Sequence, residues 1–396
     1  MIAPAPPSGR RLVGFDGLRL LAAASIVAHH AAFMSGATFD SAGGPYFARA
    51  DVGVAVFFVL SGFLLYRPFV ARQITGRGAD SGFYLRRATR IYPAYWVALA
   101  TTLIIGGTTV GDLQGLALTA TLTQVYVPER FLSGLQQSWS LAAEVAFYAV
   151  LPLIAAAAWA WARQAAEHRR PARLLAVAGG LYAASIVARC VSEWWLPPRY
   201  AAVAPLWMPS QLDHFALGMG LAVLSVWAAT RDDLRDLLAR TFGGVGRWWL
   251  LAAALFWFVS TQLELARGLD RSGFAAELAR QGVYGLIGLC LVAPLVFTTA
   301  DGAVRRFLDH PVLVWGGAFS YGLYLWHLWF IERLPGWADF PPFSGWFPQL
   351  FLAGLGLGLA AAALTWRVVE DPLNRRARRA HHRTPAVIVG SSIDAA

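Results

Sequence analysis

Apolar stretches of about 20 residues recur along the whole chain, and short basic segments separate them. An α-helix needs roughly 20 apolar residues to cross the hydrocarbon core of a bilayer. Hydrophobic types make up 57% of the chain and charged types 14%, against roughly 45–50% and about 25% in soluble domains. This pattern predicts an all-α, multi-pass membrane protein around a central cavity, with ten spans at 14–34, 52–70, 91–110, 139–162, 174–195, 206–229, 248–266, 282–300, 312–331 and 348–369.

The basic residues predict an orientation for these spans. All 33 are arginines, and the net charge is +10. In a soluble protein this charge would suggest nucleic-acid binding, but in a membrane protein it indicates basic loops on the cytoplasmic side, so we expect no nucleic-acid partner. With both termini cytoplasmic, 24 arginines lie on inner segments and eight on outer ones. We therefore expect a short cytoplasmic segment at 1–11, a transmembrane domain at 12–374 and a basic, disordered cytoplasmic tail at 375–396.

The first span carries four ionisable side chains, Asp16, Arg19, His29 and His30. A charge in hydrocarbon costs at least ~2.5–3.5 kcal/mol, so a retained one usually has a function. Arg19 and His30 are separated by about 1100° of helix rotation, which places them on one face about 16 Å apart. Asp16 lies three residues before Arg19 and is expected to pair with it. His29 lies about 80° off this face, which favours a structural role.

Two further spans carry polar stripes. Ser140 and Glu144 are four residues apart in the fourth span and face the same way. A lone carboxylate in a membrane helix needs a partner, and His30 is a candidate. In the ninth span, Ser320, Tyr324 and His327 fall at i, i+4 and i+7 and form one polar face on an aromatic helix. The alternative for the tyrosine is a simple position at the bilayer interface.

Arg87 and Arg90 precede Pro93 at the inner start of the third span. The excess of positive charge on cytoplasmic segments explains them without any function, but clustered guanidinium groups also bind phosphates well. Asp213 and His214 in the sixth span form a weaker polar pair. Near the C-terminus, Gly354 and Gly358 form a small-xxx-small pair, which predicts close helix packing.

Six segments in chain order resemble the motifs of acyltransferase family 3, which includes bacterial membrane O-acyltransferases of surface polysaccharides and macrolide acyltransferases. The first span, with Arg19 followed by His30, resembles the opening of that family, and the resemblance extends over about residues 12–374. The segments are FDGLRLLAAASIVAHH, DVGVAVFFVLSGFLLYRPF, YLRRATRIYP, SWSLAAEVAFY, FSYGLYLWH and VVEDPLNRR. Asp213 and His214 match no general motif of the family.

The resemblance implies transfer of an acyl group, acetyl or another short one, from cytoplasmic acyl-CoA to a hydroxyl of a glycan, glycolipid or macrolide. The sequence shows no Cys/His metal spacing, so we expect no metal. The resemblance and the composition imply a bacterial plasma (inner) membrane. Arg87 and Arg90 would hold the CoA phosphates, and Arg19 would contact the acyl donor or fix the inner part of the first span.

In the same framework His30 would act as the general base, and Glu144 would orient it or stabilise its imidazolium. Whether His30 acts as a base or becomes acylated stays open. Candidate donors to the oxyanion are Ser320, Tyr324 and His327. Weaker candidates for substrate contact are Asp16, Trp139 and Asp213.

Two other classes of membrane protein are alternatives to an acyltransferase. A transporter or flippase of a lipid-linked or small polar substrate would also have many spans and buried charge, but it predicts an internal repeat that the sequence does not show. A protein with only an assembly role would leave His30 and Glu144 unexplained.

Overall fold

The computed structural model describes residues 14–76, 82–268, 270–298 and 302–373, and these residues form helices and loops without a β-strand. The expected N-terminal segment 1–11 and the tail 375–396 lie outside the described residues. The helices are α1 (Phe15–Ser35), α2 (Ala37–Asp40), α3 (Gly44–Arg49), α4 (Val52–Ile74), α5 (Phe83–Ile104), α6 (Leu113–Ala120), α7 (Trp139–Ala162), α8 (Arg170–Trp194), α9 (Pro198–Ala201), α10 (Met208–Ala228), α11 (Asp232–Phe242), α12 (Val245–Thr261), α13 (Phe274–Phe297), α14 (Ala303–Leu308), α15 (Pro311–Ala318), α16 (Ser320–Trp337) and α17 (Phe347–Thr365). A π-helical turn, Trp366–Glu370, follows α17, and short 3₁₀ turns lie between α6 and α10.

Every predicted span falls mainly on helix in the structure, so the all-α class is confirmed. By length and apolar composition, six helical segments of the described chain can cross a membrane: Phe15–Ser35, Gly44–Ile74, Gln136–Ala162, Glu167–Trp194, Phe274–Phe297 and Phe347–Leu373. A seventh is possible if α11 and α12, which meet at a bend of 57°, form one span. The total of ten spans and the cytoplasmic position of both termini stay predictions.

The predicted ninth span is wrong as a single helix. Residues 312–331 divide between α15 and α16, and Phe319 lies at the junction. Helix α1 packs closely beside this break, since a Cβ atom on Gly317 would lie 1.9 Å from the carbonyl oxygen of Asp16. The polar face of Ser320, Tyr324 and His327 falls entirely on α16.

The centre of the bundle is the crossing of α4 and α10. A Cβ atom on Gly62 of α4 would lie 2.1 Å from the Phe215 carbonyl oxygen, and one on Gly218 of α10 would lie 2.1 Å from the Val59 carbonyl oxygen. Glycine at both positions therefore lets the two backbones touch, as small residues do in membrane helix pairs. Helix α8 packs on the other side of α10, and α13 packs on α4.

The predicted role of Gly354 and Gly358 is confirmed. Both lie on α17 where it packs against α16. A Cβ on Gly354 would come within 2.8 Å of the Ile331 side chain, and one on Gly358 within 2.8 Å of Leu323. Helix α17 therefore supports the face of α16 that also holds His327.

We expect Gly218→Ala to destabilise the purified protein by about 1–3 kcal/mol, because its methyl group meets the rigid backbone of α4. Gly220→Ala is the matched control on the same helix, since nothing lies within 4 Å of a Cβ there, and alanine favours helix. Thermal unfolding in detergent should show a lower Tm for Gly218→Ala alone. Equal melting temperatures for the two variants would contradict the tight crossing of α4 and α10.

Candidate active site

A cavity of about 250 Å³ lies between α1, α4, α5, α7 and α16. We call it the arginine cavity, because its charged lining residues are Arg19, Arg87, Arg90 and Glu144. Its lining on α4 extends from Val54 to Leu65, which is about 16 Å of helix. The cavity is thus long as well as charged, and five helices distant in sequence build it.

Arg19 reaches the arginine cavity from the first turns of α1. Its Nη1 lies 3.7 Å from Oδ1 of Asp16, so the pairing predicted from their spacing is confirmed. Both side chains are largely buried, with 26% and 16% of their surfaces exposed. The carboxylate compensates part of the charge of Arg19, which reduces the free-energy penalty of holding a guanidinium inside the bundle.

Glu144 has partners that the sequence did not predict. The hydroxyl groups of Ser61 and Tyr148 each donate to its Oε1 over 2.6 Å. The expected contact with His30 is not present among the described residues, so the prediction that Glu144 holds His30 directly is wrong. The i, i+4 spacing of Glu144 and Tyr148 was a usable signal, whereas Ser61 on α4 could be placed only by the fold.

Ser140, Tyr324 and Gln137 form a chain of hydrogen bonds at one wall of the cavity. The Tyr324 hydroxyl donates to the Gln137 carbonyl oxygen over 2.6 Å and lies 2.7 Å from Ser140 Oγ. Because a carbonyl oxygen can only accept, the Tyr324 hydroxyl donates its hydrogen bond to the Gln137 carbonyl oxygen, and the Ser140 hydroxyl donates to the Tyr324 oxygen. The Gln137 side chain in turn donates to the Leu325 carbonyl oxygen, over 2.7 Å. This chain attaches the start of α7 to α16.

Three histidines lie together further along α1. The ring of His30 is 5.1 Å from that of His29 and 5.2 Å from that of His327, measured between centroids. Nδ1 of His29 lies 3.0 Å from the Phe47 carbonyl oxygen, which agrees with the structural role expected for it. The His327 ring is 5.7 Å from that of Tyr324, so His327 stands between the arginine cavity and His30.

The hydrogen bonds of His327 determine where its proton lies. Its Nδ1 is 2.9 Å from the Tyr324 carbonyl oxygen and 3.2 Å from that of Leu323. Carbonyl oxygens only accept, so Nδ1 carries the hydrogen and Nε2 of the neutral ring has a lone pair. Nε2 is buried and has no hydrogen-bond partner among the described residues. The neutral ring can therefore accept a proton there but cannot donate one to an oxyanion.

The structure separates the predicted residues into three groups. Seven line the arginine cavity: Arg19, Arg87, Arg90, Ser140, Glu144, Ser320 and Tyr324. His30 and His327 form a neighbouring pair. Trp139 lines a smaller neighbouring cavity together with His214, and Asp213 accepts from the Gln281 side chain over 3.1 Å. Asp213 and Trp139 thus belong to the α10 and α13 side of the bundle.

Comparison with known proteins shows the family of the chain. A family model for an acyltransferase domain matches residues 12–367. Acyltransferase MdmB from Streptomyces mycarofaciens is 28% identical over 405 residues, which cover 93% of this chain and 93% of the relative. No solved structure gives a significant match.

Two further proteins that are similar to this chain have names that mention a polysaccharide or peptidoglycan. Exopolysaccharide production protein ExoZ from Rhizobium meliloti is 27% identical over 359 residues, covering 85% of this chain and 93% of the relative. Peptidoglycan O-acetyltransferase OatA from Listeria monocytogenes is 25% identical over 395 residues, covering 93% of this chain and 56% of the relative. The names of MdmB and OatA state acyl or acetyl transfer, and no acceptor is common to the three names.

We expect the neutral ring of His327 to carry its proton on Nδ1, because Nδ1 faces two carbonyl oxygens. Nitrogen NMR of the protein labelled with ¹⁵N-histidine should show a deprotonated Nε2 for this residue. The spectrum of His327→Gln assigns the signal by its loss, and His168→Gln, in an exposed turn before α8, is the control. A neutral ring with the proton on Nε2 would contradict the hydrogen bonds to Leu323 and Tyr324.

Proposed function

Because this chain belongs to the acyltransferase family whose model it matches, we propose that it moves a short acyl group from acyl-CoA to a hydroxyl group of a carbohydrate or glycosylated acceptor. Acetyl-CoA is the donor we favour, and a bacterial plasma membrane is the location. The family and the apolar helices make the chain a membrane-bound acyltransferase. The grouping of three arginines in one elongated cavity supports acyl-CoA as the donor.

The charge of the arginine cavity suits a polyanionic ligand. Arg19, Arg87 and Arg90 supply three positive charges, and Glu144 is the one carboxylate among the described residues that line it. Guanidinium groups bind phosphates through pairs of parallel hydrogen bonds. Arg87 and Arg90 lie in the first turns of α5 and would hold the phosphates of CoA, as the family resemblance implies.

The shape of the cavity suits an elongated donor. CoA has its phosphates at one end and its thioester at the end of a long, narrow arm. The cavity extends along α4 for about 16 Å, and the pair of His30 and His327 lies beyond Tyr324. An acyl-CoA with its phosphates on Arg87 and Arg90 would point its thioester along this direction.

In the transfer step His30 is the general base. It takes the proton of the acceptor hydroxyl while the hydroxyl oxygen attacks the thioester carbonyl carbon, and the tetrahedral intermediate collapses with cleavage of the C–S bond. The proton held by His30 then passes to the departing CoA sulfur. An imidazole suits both transfers because its ordinary pKa lies near neutral pH.

The neighbours of His30 would act in different ways. Nε2 of His327 presents a lone pair beside His30 and would accept a hydrogen bond from it, which orients the base. Glu144 would balance the arginines of the cavity, since it bonds to Ser61 and Tyr148. The Tyr324 hydroxyl and Nδ1 of His327 donate hydrogen bonds to backbone carbonyls, so these two hydrogens are not available to an oxyanion.

The second candidate function, transport of a lipid-linked or small polar substrate, is disfavoured. The family model covers an acyltransferase domain over nearly all of the described chain. The assays below still distinguish transport from acyl transfer.

Arg87→Gln and Arg90→Gln should each raise the KM for acetyl-CoA by about tenfold to a hundredfold, the loss expected for a charge-assisted hydrogen bond. Arg86→Gln is the matched control, because Arg86 lies on the same helix and does not line the cavity. The measurement is release of free CoA by the protein in detergent with a panel of methyl glycosides. An increase only in the KM for the acceptor would exclude Arg87 and Arg90 from CoA binding.

His30→Gln should lower kcat by at least about a hundredfold, the contribution of a general base, and leave the binding of acetyl-CoA unchanged. His29→Gln is the neighbouring control and should retain most of the activity. Binding of acetyl-CoA is measured by calorimetry, separately from turnover. Full activity of His30→Gln would remove His30 from the mechanism, and a wild-type protein that neither binds acetyl-CoA nor releases CoA would sink the proposed function.

A further inference from the structure

A second large cavity lies at the opposite end of the bundle from Arg87 and Arg90. Its volume is about 380 Å³. It is built by α3, which directly precedes α4, by the end of α8, and by the segment that leads into α13. Because α5 begins at the end of the bundle where α4 finishes, this cavity and the two arginines of α5 lie at opposite ends. We call it the mixed-charge cavity, from its charged residues Arg49, Arg189, Arg271, Arg280, Glu193, Asp270 and Glu277.

A smaller cavity of about 190 Å³ lies between these two cavities. We call it the connecting cavity. It shares Arg189 and Arg280 with the mixed-charge cavity and shares Val54 with the arginine cavity. Trp139 lines the connecting cavity, and the next residue, Ser140, lines the arginine cavity. The three cavities therefore adjoin one another along the bundle, with Val54 and Trp139 at the inner boundary.

The charges at the two ends differ in kind. The arginine cavity is lined by three arginines and one carboxylate. The mixed-charge and connecting cavities together are lined by four arginines and four carboxylates, the fourth carboxylate being Asp51. Several of these charges already pair, since Arg280 lies 2.6 Å from Glu277 and 3.7 Å from Asp51. A lining whose charges nearly cancel does not favour binding of an anion, whereas the excess of positive charge in the arginine cavity does.

The mixed-charge cavity nevertheless has spare hydrogen-bonding capacity. Arg49 and Arg189 are buried, with 6% and 7% of their surfaces exposed. Arg49 donates to the Ala266 carbonyl oxygen, and Arg189 donates to that of Ser210 over 2.8 Å. A guanidinium group has five N–H donors, so each arginine retains several for a ligand oxygen. Buried Nε of Arg280 has no partner in the part of the chain that the structure describes.

We propose that the mixed-charge cavity binds the acceptor as an uncharged sugar unit, and that the connecting cavity leads its reacting hydroxyl past Val54 and Trp139 toward the thioester. A sugar hydroxyl both donates and accepts, so arginines and carboxylates in equal number can satisfy several of them at once. The inference rests on the proposed function, and it adds the site, the chemical class and the end of the bundle at which the acceptor enters.

The arrangement has a simple kinetic consequence. Donor and acceptor occupy different cavities, so filling the mixed-charge cavity should affect only the acceptor. Ala202 lines this cavity after α9 and is exposed. Ala202→Trp should raise the KM for a neutral methyl glycoside by at least about tenfold and leave the KM for acetyl-CoA unchanged. Ala275→Trp is the matched control, because Ala275 is exposed on α13 outside the cavity lining.

A second variant tests binding without turnover. In a background with Cys190→Ser and Cys290→Ser, Ala202→Cys provides one thiol in the cavity. A neutral methyl glycoside should slow its reaction with a maleimide, and acetyl-CoA alone should not. The same labelling serves if Ala202→Trp fails to fold, because the attached maleimide then fills the cavity and should raise the KM for the acceptor.

The outcomes separate the two proposals. Protection of the introduced thiol in the Ala202→Cys variant by the glycoside, with a raised acceptor KM in the filled variants, supports the acceptor site. An unchanged acceptor KM in the filled variants, or preferential use of a uronic acid glycoside over the neutral one, overturns it. Failure of acetyl-CoA to bind the wild-type protein counts against acyl transfer, and protection by the glycoside alone would then favour sugar transport.

Discussion

Glu144 is a carboxylate in the interior of an apolar bundle, and its two hydrogen bonds organise the arginine cavity around it. Ser61 on α4 and Tyr148 on α7 donate to the same oxygen, so the carboxylate joins two helices that border the cavity. An uncompensated charge at such a position is strongly disfavoured. The arginines that share the cavity therefore depend on Glu144 for part of their compensation, and Glu144 depends on the two hydroxyl groups.

The packing that permits this arrangement comes from small residues. Gly62 and Gly218 bring α4 and α10 into backbone contact, while Gly358 brings α17 against the face of α16 that holds His327. Close contact of backbones leaves the larger polar side chains to fill the space on the other side of α4. The arginine cavity borders α4 beside this crossing, since Leu60, Ser61 and Leu64 line it.

Charge distribution distinguishes the two ends of the molecule. The arginine cavity has an excess of guanidinium groups and suits a phosphate-bearing donor, whereas the mixed-charge and connecting cavities together have equal numbers of arginines and carboxylates. Two ligands that enter from opposite ends can react without competing for one opening. The pair of His30 and His327 lies beyond Tyr324, where we place the acyl transfer.

Length, composition and helical spacing in the sequence determined the all-α class, the pairing of Asp16 with Arg19, the shared face of Ser320 and Tyr324, and the small face of Gly354 and Gly358, because each depends only on residues of one helix or on the bilayer. The tertiary structure alone decided which helices meet. It gave Glu144 to Ser61 and Tyr148 instead of His30, placed His327 beside His30, and divided the ninth span at Phe319 where α1 approaches Gly317. Spacing within a helix repeats every 3.6 residues and carries no information about the partner across an interface, so contacts between helices follow from packing that only the folded chain contains.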